Sequence, residues 1–376
     1  MIASMLRVGT LLTLLGLAAV QADETMSPPS KLSALLGSDA DEAFARALQP
    51  RIFSFPEDHG PHPEFRNEWW YVTGNLDDED GRRFGFELTI FRFALAPTAP
   101  ASESAWRTNQ VYIAHLAVTD AEDEEFHVAQ RYARGALGLA GAQAAPLRVW
   151  IDNWELAAQR GSDAWRLRAD DDQLGLDLEL LPLKPPVLNG IDGLSRKSAN
   201  PNNASYYYSM TRLQTDGRLR IGDNNYTVSG LSWLDREWST SALSGDQVGW
   251  DWFALQLDDG SELMLYGLRL RDGRWDPASA GTFIRASGDA IHLTSDDFEI
   301  SVLDTWESPA GGIYPSQWLL RISQLGLELT VTPVISDQEL FTTVRYWEGA
   351  VDVRGRRDQQ KMEGRGYVEL TGYATD

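Results

Sequence analysis

Residues 68–93 read EWWYVTGNLDDEDGRRFGFELTIFRF. The first run, 68–76, and the second, 84–93, each alternate side chains along an aromatic-rich β pattern, and residues 77–81 between them supply the Asp/Gly chemistry of a tight turn. The segment therefore predicts a β-hairpin. The same period of two continues on both sides from Arg51 onward, with turn signals at close spacing. This is the pattern of an antiparallel barrel or sandwich, not of βαβ units. Strands are expected at 111–119, 126–132, 147–157, 165–169 and 174–181. After a Pro/Gly/Asn-rich break over 182–201 they resume at 206–213, 225–238, 249–257, 262–271, 282–284, 298–303, 318–322, 327–333, 346–354 and 364–373. That is too many for one small barrel, so the fold class expected is all-β, with two antiparallel β-barrels packed together.

The termini and composition set the boundaries. Residues 1–22 carry Arg7, an apolar centre (Leu11, Leu12, Leu14, Leu15, Leu17) and a small-residue pattern at Val20 and Ala22, as expected of a cleaved secretory signal peptide and a periplasmic or secreted protein. Residues 23–50 are expected to form a linker with one short helix over 32–48. The first barrel is then placed at 51–200 and the second at 201–376, because long irregular segments often mark joints.

The absence of cysteine excludes disulfides, thiolate nucleophiles and cysteine-bound metals, so packed core must supply stability. A net charge of -22 argues against nucleic acid and anionic membranes and leaves a neutral, apolar or cationic partner. The 14 Trp, 12 Tyr and 13 Phe suit an aromatic-lined barrel interior holding an apolar small molecule.

A faint internal repeat supports two barrels. Glu68-Trp69-Trp70-Tyr71 leads to Leu76-Asp77-Asp78, and Trp250-Asp251-Trp252-Phe253 leads to Leu257-Asp258-Asp259-Gly260. Three aromatic and acidic clusters are candidate sites. The first joins His59 and His62 to Glu68, Trp69, Trp70 and Tyr71. Its H-x-x-H spacing is interrupted by Pro61 and Pro63, which exclude a metal-binding helix, so no metal and no cofactor is expected. It reads as a loop closing a barrel mouth, or equally as a hydrogen-bonded plug with no chemistry.

The second cluster is Trp233-Leu234-Asp235-Arg236-Glu237-Trp238. Strand alternation puts Trp233, Asp235 and Glu237 on one face and Leu234, Arg236 and Trp238 on the other, with the two carboxylates roughly 7 Å apart. Such a pair, partly withdrawn from water, can keep one carboxyl protonated beside an ionised neighbour. The alternative is a salt-bridge network around Arg236. Asp251 between Trp250 and Trp252 forms the third cluster. Tyr207 within Tyr206-Tyr207-Tyr208, His115 and Tyr346-Trp347-Glu348 complete the candidates, His115 reading by default as a satisfied core histidine.

These motifs, with Phe55-Pro56-Glu57-Asp58-His59-Gly60 and Gly249-Trp250-Asp251-Trp252, resemble the carotenoid 1,2-hydratase and AttH-like family of predicted secreted, lipocalin-like hydrolases. The resemblance extends from about Arg51 to Tyr373. It implies two lipocalin-like barrels and two alternative activities: hydration of an isoprenoid double bond, or a non-catalytic periplasmic carrier associated with an ABC-type exporter. Under the first, Asp235, Glu237 or Asp251 would be the proton donor, with substrate held by His59, Glu68, Trp69, Trp70, Tyr71, His115, Tyr207, Trp233, Trp238 and Trp252. A carbohydrate-active sandwich with paired carboxylates is a third reading. A monomer is expected.

Overall fold

A computed structural model describes residues 43–240, 243–342 and 344–374. The expected signal peptide and most of the expected short helix lie outside the described residues; residues 43–48 form no helix. The described residues form β-strands with only two short 3-10 turns, at Glu57–His59 and Ser323–Leu325.

In the first sheet the strands are β1 (Asn67–Asp78), β2 (Arg83–Ala94), β3 (Gln110–Asp120), β4 (Glu125–Arg134), β5 (Ala140–Ala144), β6 (Leu147–Ile151), β7 (Trp154–Ala158), β8 (Trp165–Asp170), β9 (Leu174–Pro182), β10 (Val187–Leu188), β11 (Leu194–Arg196), β12 (Ala204–Ile221) and β13 (Asn224–Ser239). The second contains β14 (Gln247–Leu257), β15 (Glu262–Leu270), β16 (Ala280–Ile284), β17 (Ala290–Thr294), β18 (Glu299–Glu307), β19 (Ile313–Ile322), β20 (Leu327–Pro333), β21 (Glu339–Phe341), β22 (Arg345–Arg357) and β23 (Gln360–Thr371). The predicted strand 147–157 is split into β6 and β7, because Asp152 turns the chain with a φ of 52°.

The strand order in the first sheet is β4-β3-β2-β1-β13-β12-β9-β8-β7-β6-β5, with β10 and β11 on β12. In the second it is β17-β16-β15-β14-β23-β22-β20-β19-β18, with β21 on β22. Both are antiparallel meanders whose last strand returns to pair with the first, and both set short strands beside the penultimate one. The repeat seen at 68–78 and 250–260 falls on the opening strands of the two sheets. The expected boundary at residue 200 is corrected by this pairing: β12 and β13 belong to the first sheet, since β13 pairs along the whole of β1, and the second sheet begins at Gln247. The proline-rich break is a strap across β12 inside the first unit, not a joint.

Alternation decides which side chains meet. Trp70, Val72, Leu76, Leu234 and Trp238 face into the first sheet's curl and join its core. Phe253, Leu255, Trp318 and Trp347 do the same in the second. The opposite faces, including Tyr71, Tyr207, Trp233, Trp252, Tyr266 and Tyr367, form a third apolar layer in which the two units are pressed together. Close approach there depends on Gly85, where a Cβ would lie 2.5 Å from that of Ala350.

Candidate functional site

The expectation of a hollow barrel interior is corrected. Both interiors are filled, and the cavity lies between the two sheets, with a volume of about 140 Å³. The reason is steric: Trp70, Trp238, Arg236 and Tyr208 are large and fully buried inside the first curl, leaving no room for a ligand at native packing density. Phe91, Phe93, Ile113 and Leu268 give the cavity its apolar walls, and Trp69, Tyr71, Trp250 and Trp252 its aromatic ones.

Of the residues expected at the site, Trp69, Tyr71, His115, Tyr207, Asp235, Glu237 and Trp252 line this cavity. The predicted face sharing within β13 holds. Trp233 is buried just behind the wall and donates its indole N–H to Asp235 Oδ1 at 2.6 Å.

Four expected residues instead close the mouth of the first barrel. Glu68, fully buried, is ion-paired to both Arg92 and Arg236 and accepts the His62 backbone N–H at 3.0 Å. Burial would raise its carboxyl, but the two guanidiniums outweigh that and hold it far below the usual range. Trp70 donates its indole N–H to the His59 carbonyl at 2.8 Å, and His62 stacks on Trp238 at 3.7 Å. His59 Nδ1 is 2.6 Å from the Tyr208 hydroxyl, and burial lowers its pKa to about 4. His59, Glu68, Trp70 and Trp238 thus form the plug considered as one reading of the first cluster.

Asp251 also points away from the cavity, into the second barrel. There it lies 3.2 Å from Arg269 and accepts the Tyr373 hydroxyl at 2.8 Å. Burial pushes its pKa up to about 6 against these partners.

The chemistry of the cavity centres on Asp235. Its Oδ1 accepts the Ser209 hydroxyl at 2.5 Å in addition to the Trp233 indole, and its Oδ2 accepts the Tyr207 hydroxyl. Tyr207 oxygen in turn accepts the Trp252 indole N–H at 3.1 Å, so the acid is tied to a residue of the other barrel. Burial pushes the Asp235 pKa up to about 7, opposed by the hydrogen bonds from Ser209, Tyr207 and Trp233. Two residues along the strand, Glu237 is 3.0 Å from the Lys197 ammonium. Burial disfavours charge on Lys197, but Glu237 overcomes this and keeps its pKa raised.

Sequence reading missed Lys197 and Glu369, and it named Glu348 without a role. Lys197 sits on the strap that looked like a linker. Glu369 was legible in principle through the repeat: in β1–β13 Asp235 opposes Tyr71, and in β14–β23 Glu369 opposes Trp252, the counterpart of Tyr71. Burial pushes Glu369 up to about 7, with Asp235 and Glu237 adding to the effect. By the same register Tyr207 corresponds to Tyr346, whose hydroxyl is 2.5 Å from His115 Nδ1. Gln130 lies 2.7 Å from the other ring nitrogen, and burial lowers the His115 pKa to about 3. Each tyrosine oxygen thus meets a ring nitrogen on one side and a carboxyl region on the other.

Comparison with known proteins agrees with this architecture. The family model described as AttH-like matches residues 46–373. The crystal structure of an AttH protein from Nitrosomonas europaea shares 35% identity, covers 88% of this chain and 100% of its own, and superposes with a TM-score of 0.78. Kievitone hydratase from Nectria haematococca (17% identity, 92% of this chain and 98% of its own, TM-score 0.66) and CghA (11%, 89% and 97%, TM-score 0.51) share the fold. No curated protein matches. With the family model spanning both barrels and the cavity between them, the chain belongs to the AttH-like family.

Proposed function

We propose that this protein binds an apolar, isoprenoid- or lipid-like small molecule between its two barrels and adds water to it by carboxylic acid/base catalysis. The observation that carries the reading is an aromatic cavity holding a carboxyl with a pKa of about 7, Asp235, beside the Lys197-paired Glu237. An acid poised near neutrality is suited to proton transfer. The hydratase among the structural neighbours supports the reaction class.

The residues divide the reaction as follows. When Asp235 is protonated it donates to Tyr207 oxygen, which also accepts from Trp252, and the Tyr207 hydrogen is turned into the cavity. Tyr207 passes that hydrogen to the alkene and takes the Asp235 proton. The tertiary cation formed lies against the faces of Trp69, Tyr71 and Trp252, which attract positive charge. Water adds to it, Glu237 takes the proton that the water loses, and that proton passes back to Asp235, two residues along the same strand, before the next turnover.

We further propose that the mature chain works as an exported monomer. A carrier serving an ABC-type exporter is the second reading, favoured by the same enclosed apolar cavity. Incubation with a panel of prenylated alkenes and lipophilic esters in heavy-oxygen water separates the two. Labelled product from wild type and none from Asp235→Asn supports catalysis; an apolar compound that copurifies and is returned unchanged supports the carrier and overturns the hydration reading.

A further inference from the structure

Buried acids in this protein are, as a rule, matched to a basic side chain. Among the described residues Glu68 has Arg92 and Arg236, Asp120 has Arg82, Glu237 has Lys197, Asp251 has Arg269, Glu262 has Lys184 and Arg212, and Glu339 has Arg345. Such matching is what burial of a carboxylate demands.

Among the described residues Asp235 and Asp276 lack a basic partner but accept hydrogen bonds from neutral donors instead, and one group has no base and leaves carboxyl oxygens unsatisfied. Glu348 and Glu369 stand directly opposite each other on β22 and β23, and Glu87 of β2 reaches them from the other barrel. Glu87 and Glu348 are fully buried, and their four carboxyl oxygens have no hydrogen-bond partner. The hydroxyls of Tyr71 and Tyr367, both more than nine-tenths buried beside them, also lack one; Tyr71 and Tyr346 lie near Glu348, and Thr89 near Glu87, without forming a hydrogen bond to it. Like charges facing each other across a strand pair destabilise a sheet, and unsatisfied polar atoms add to that cost. Four polar groups from both barrels, Glu87, Glu348, Tyr71 and Tyr367, are therefore left without partners beside the cavity, of whose wall Tyr71, Glu348 and Glu369 form part.

We infer that this acidic end receives the cationic head of the ligand, which is an apolar molecule carrying one protonated amine or quaternary ammonium. The head would lie against Glu348 and Glu369, with Glu87 buried behind them, and against the rings of Tyr71, Tyr346 and Trp252, with its body along Phe91, Phe93, Ile113 and Leu268. An organic cation fits better than a metal ion, because the acidic and histidine side chains of the described residues do not converge in groups of three as a coordination shell. The inference rests on the proposal that the cavity takes an apolar molecule, and adds its charge.

A matched C10 series tests it: geranylamine, geraniol and geranic acid, titrated into the full mature protein by calorimetry and tryptophan fluorescence. Geranylamine is expected to bind about tenfold or more tighter than geraniol, with geranic acid weakest. Amine binding should also release protons, read by repeating the titration in buffers of different ionisation enthalpy, and geraniol binding should not. Glu348→Gln should bring amine and alcohol to within about twofold while leaving geraniol affinity unchanged; Glu87→Gln serves the same purpose should the first variant fail to fold. Geraniol or geranic acid binding as tightly as the amine, or an amine preference that survives both variants, overturns the acidic head site and leaves the apolar cavity standing. Absence of binding by all three overturns both.

Discussion

Asp235 opposes Tyr71 where the last strand of the first sheet meets its opening strand, and Glu369 opposes Trp252 at the corresponding junction of the second. Two copies of one fold thus bring equivalent carboxyls to the layer between them. Their surroundings differ: Asp235 is held by Ser209, Tyr207 and Trp233, whereas Glu369 faces a second acid, Glu348. The duplicated scaffold thus sets two equivalent carboxyls in unlike surroundings, one held by neutral hydrogen-bond donors and one beside a second acid.

Replacing Asp235 with Asn keeps the shape of the site and removes the transferable proton. Turnover of a hydrated substrate should fall by about 10²-fold or more while ligand affinity stays within a few fold. Glu237→Gln should behave alike, because it removes the acceptor for the proton of water. Steady-state rates with parallel binding titrations check this, and unchanged rates in both variants eliminate the acid/base reading.

Tyr207→Phe tests the relay by its pH signature. The Tyr207 hydroxyl lowers the Asp235 pKa, so its loss should move the Asp235 ionisation above about 7. Wild-type activity needs protonated Asp235 and should fall as pH rises through about 7. In the variant the rate should be lower throughout and the falling limb should lie at higher pH. A slower enzyme with an unmoved limb would mean that another group titrates.

The plug at the mouth of the first barrel should govern stability, not turnover. Glu68→Gln leaves Arg92 and Arg236 buried without their carboxylate, which costs about 3–5 kcal/mol, and Arg236→Met, which leaves Glu68 with Arg92 alone, should act in the same direction by less. Urea denaturation should show midpoints shifted far downward, with substrate specificity intact in the folded fraction. Wild-type-like midpoints would contradict the network inferred from Glu68, Arg92 and Arg236.

Stability should also depend on pH in opposing directions. Asp235 and Glu369 have folded-state pKa values of about 7, and Asp251 of about 6, all raised above unfolded values near 4. The folded state therefore binds more protons between about pH 4 and 7, and these groups make the protein less stable as pH rises through that window. Glu68 acts oppositely: its lowered pKa stabilises the fold above about pH 4.5, and that contribution is lost as pH falls below it. Thermal scans should show the highest Tm in mildly acidic buffer. Asp235→Asn should flatten the decline toward pH 7, and a Tm that rises steadily to pH 8 would be the opposite of this expectation.

Much of this protein is written locally. Alternation in 68–93 and 225–238 fixes which side chains share a face, and so separates Asp235 and Glu237 from Leu234, Arg236 and Trp238. The near repeat of Trp69-Trp70-Tyr71 in Trp250-Asp251-Trp252 announces a second copy of the sheet. Strand period cannot say whether a face looks into a barrel or toward a neighbouring one, because both environments are dry and select the same apolar and aromatic residues. For that reason the aromatic acids were expected inside a barrel, yet they line the gap between two. Pairing partners were equally beyond reach: only the return of β13 to β1 decides that residues 204–239 belong to the first unit, only the pairing of the strap with β12 brings Lys197 to Glu237, and only the docking of the two units brings Glu87 to Glu348. Sequence determined the strands and their faces through the two-residue period of the backbone; tertiary structure decided which faces met, because docking depends on contacts between residues far apart in the chain.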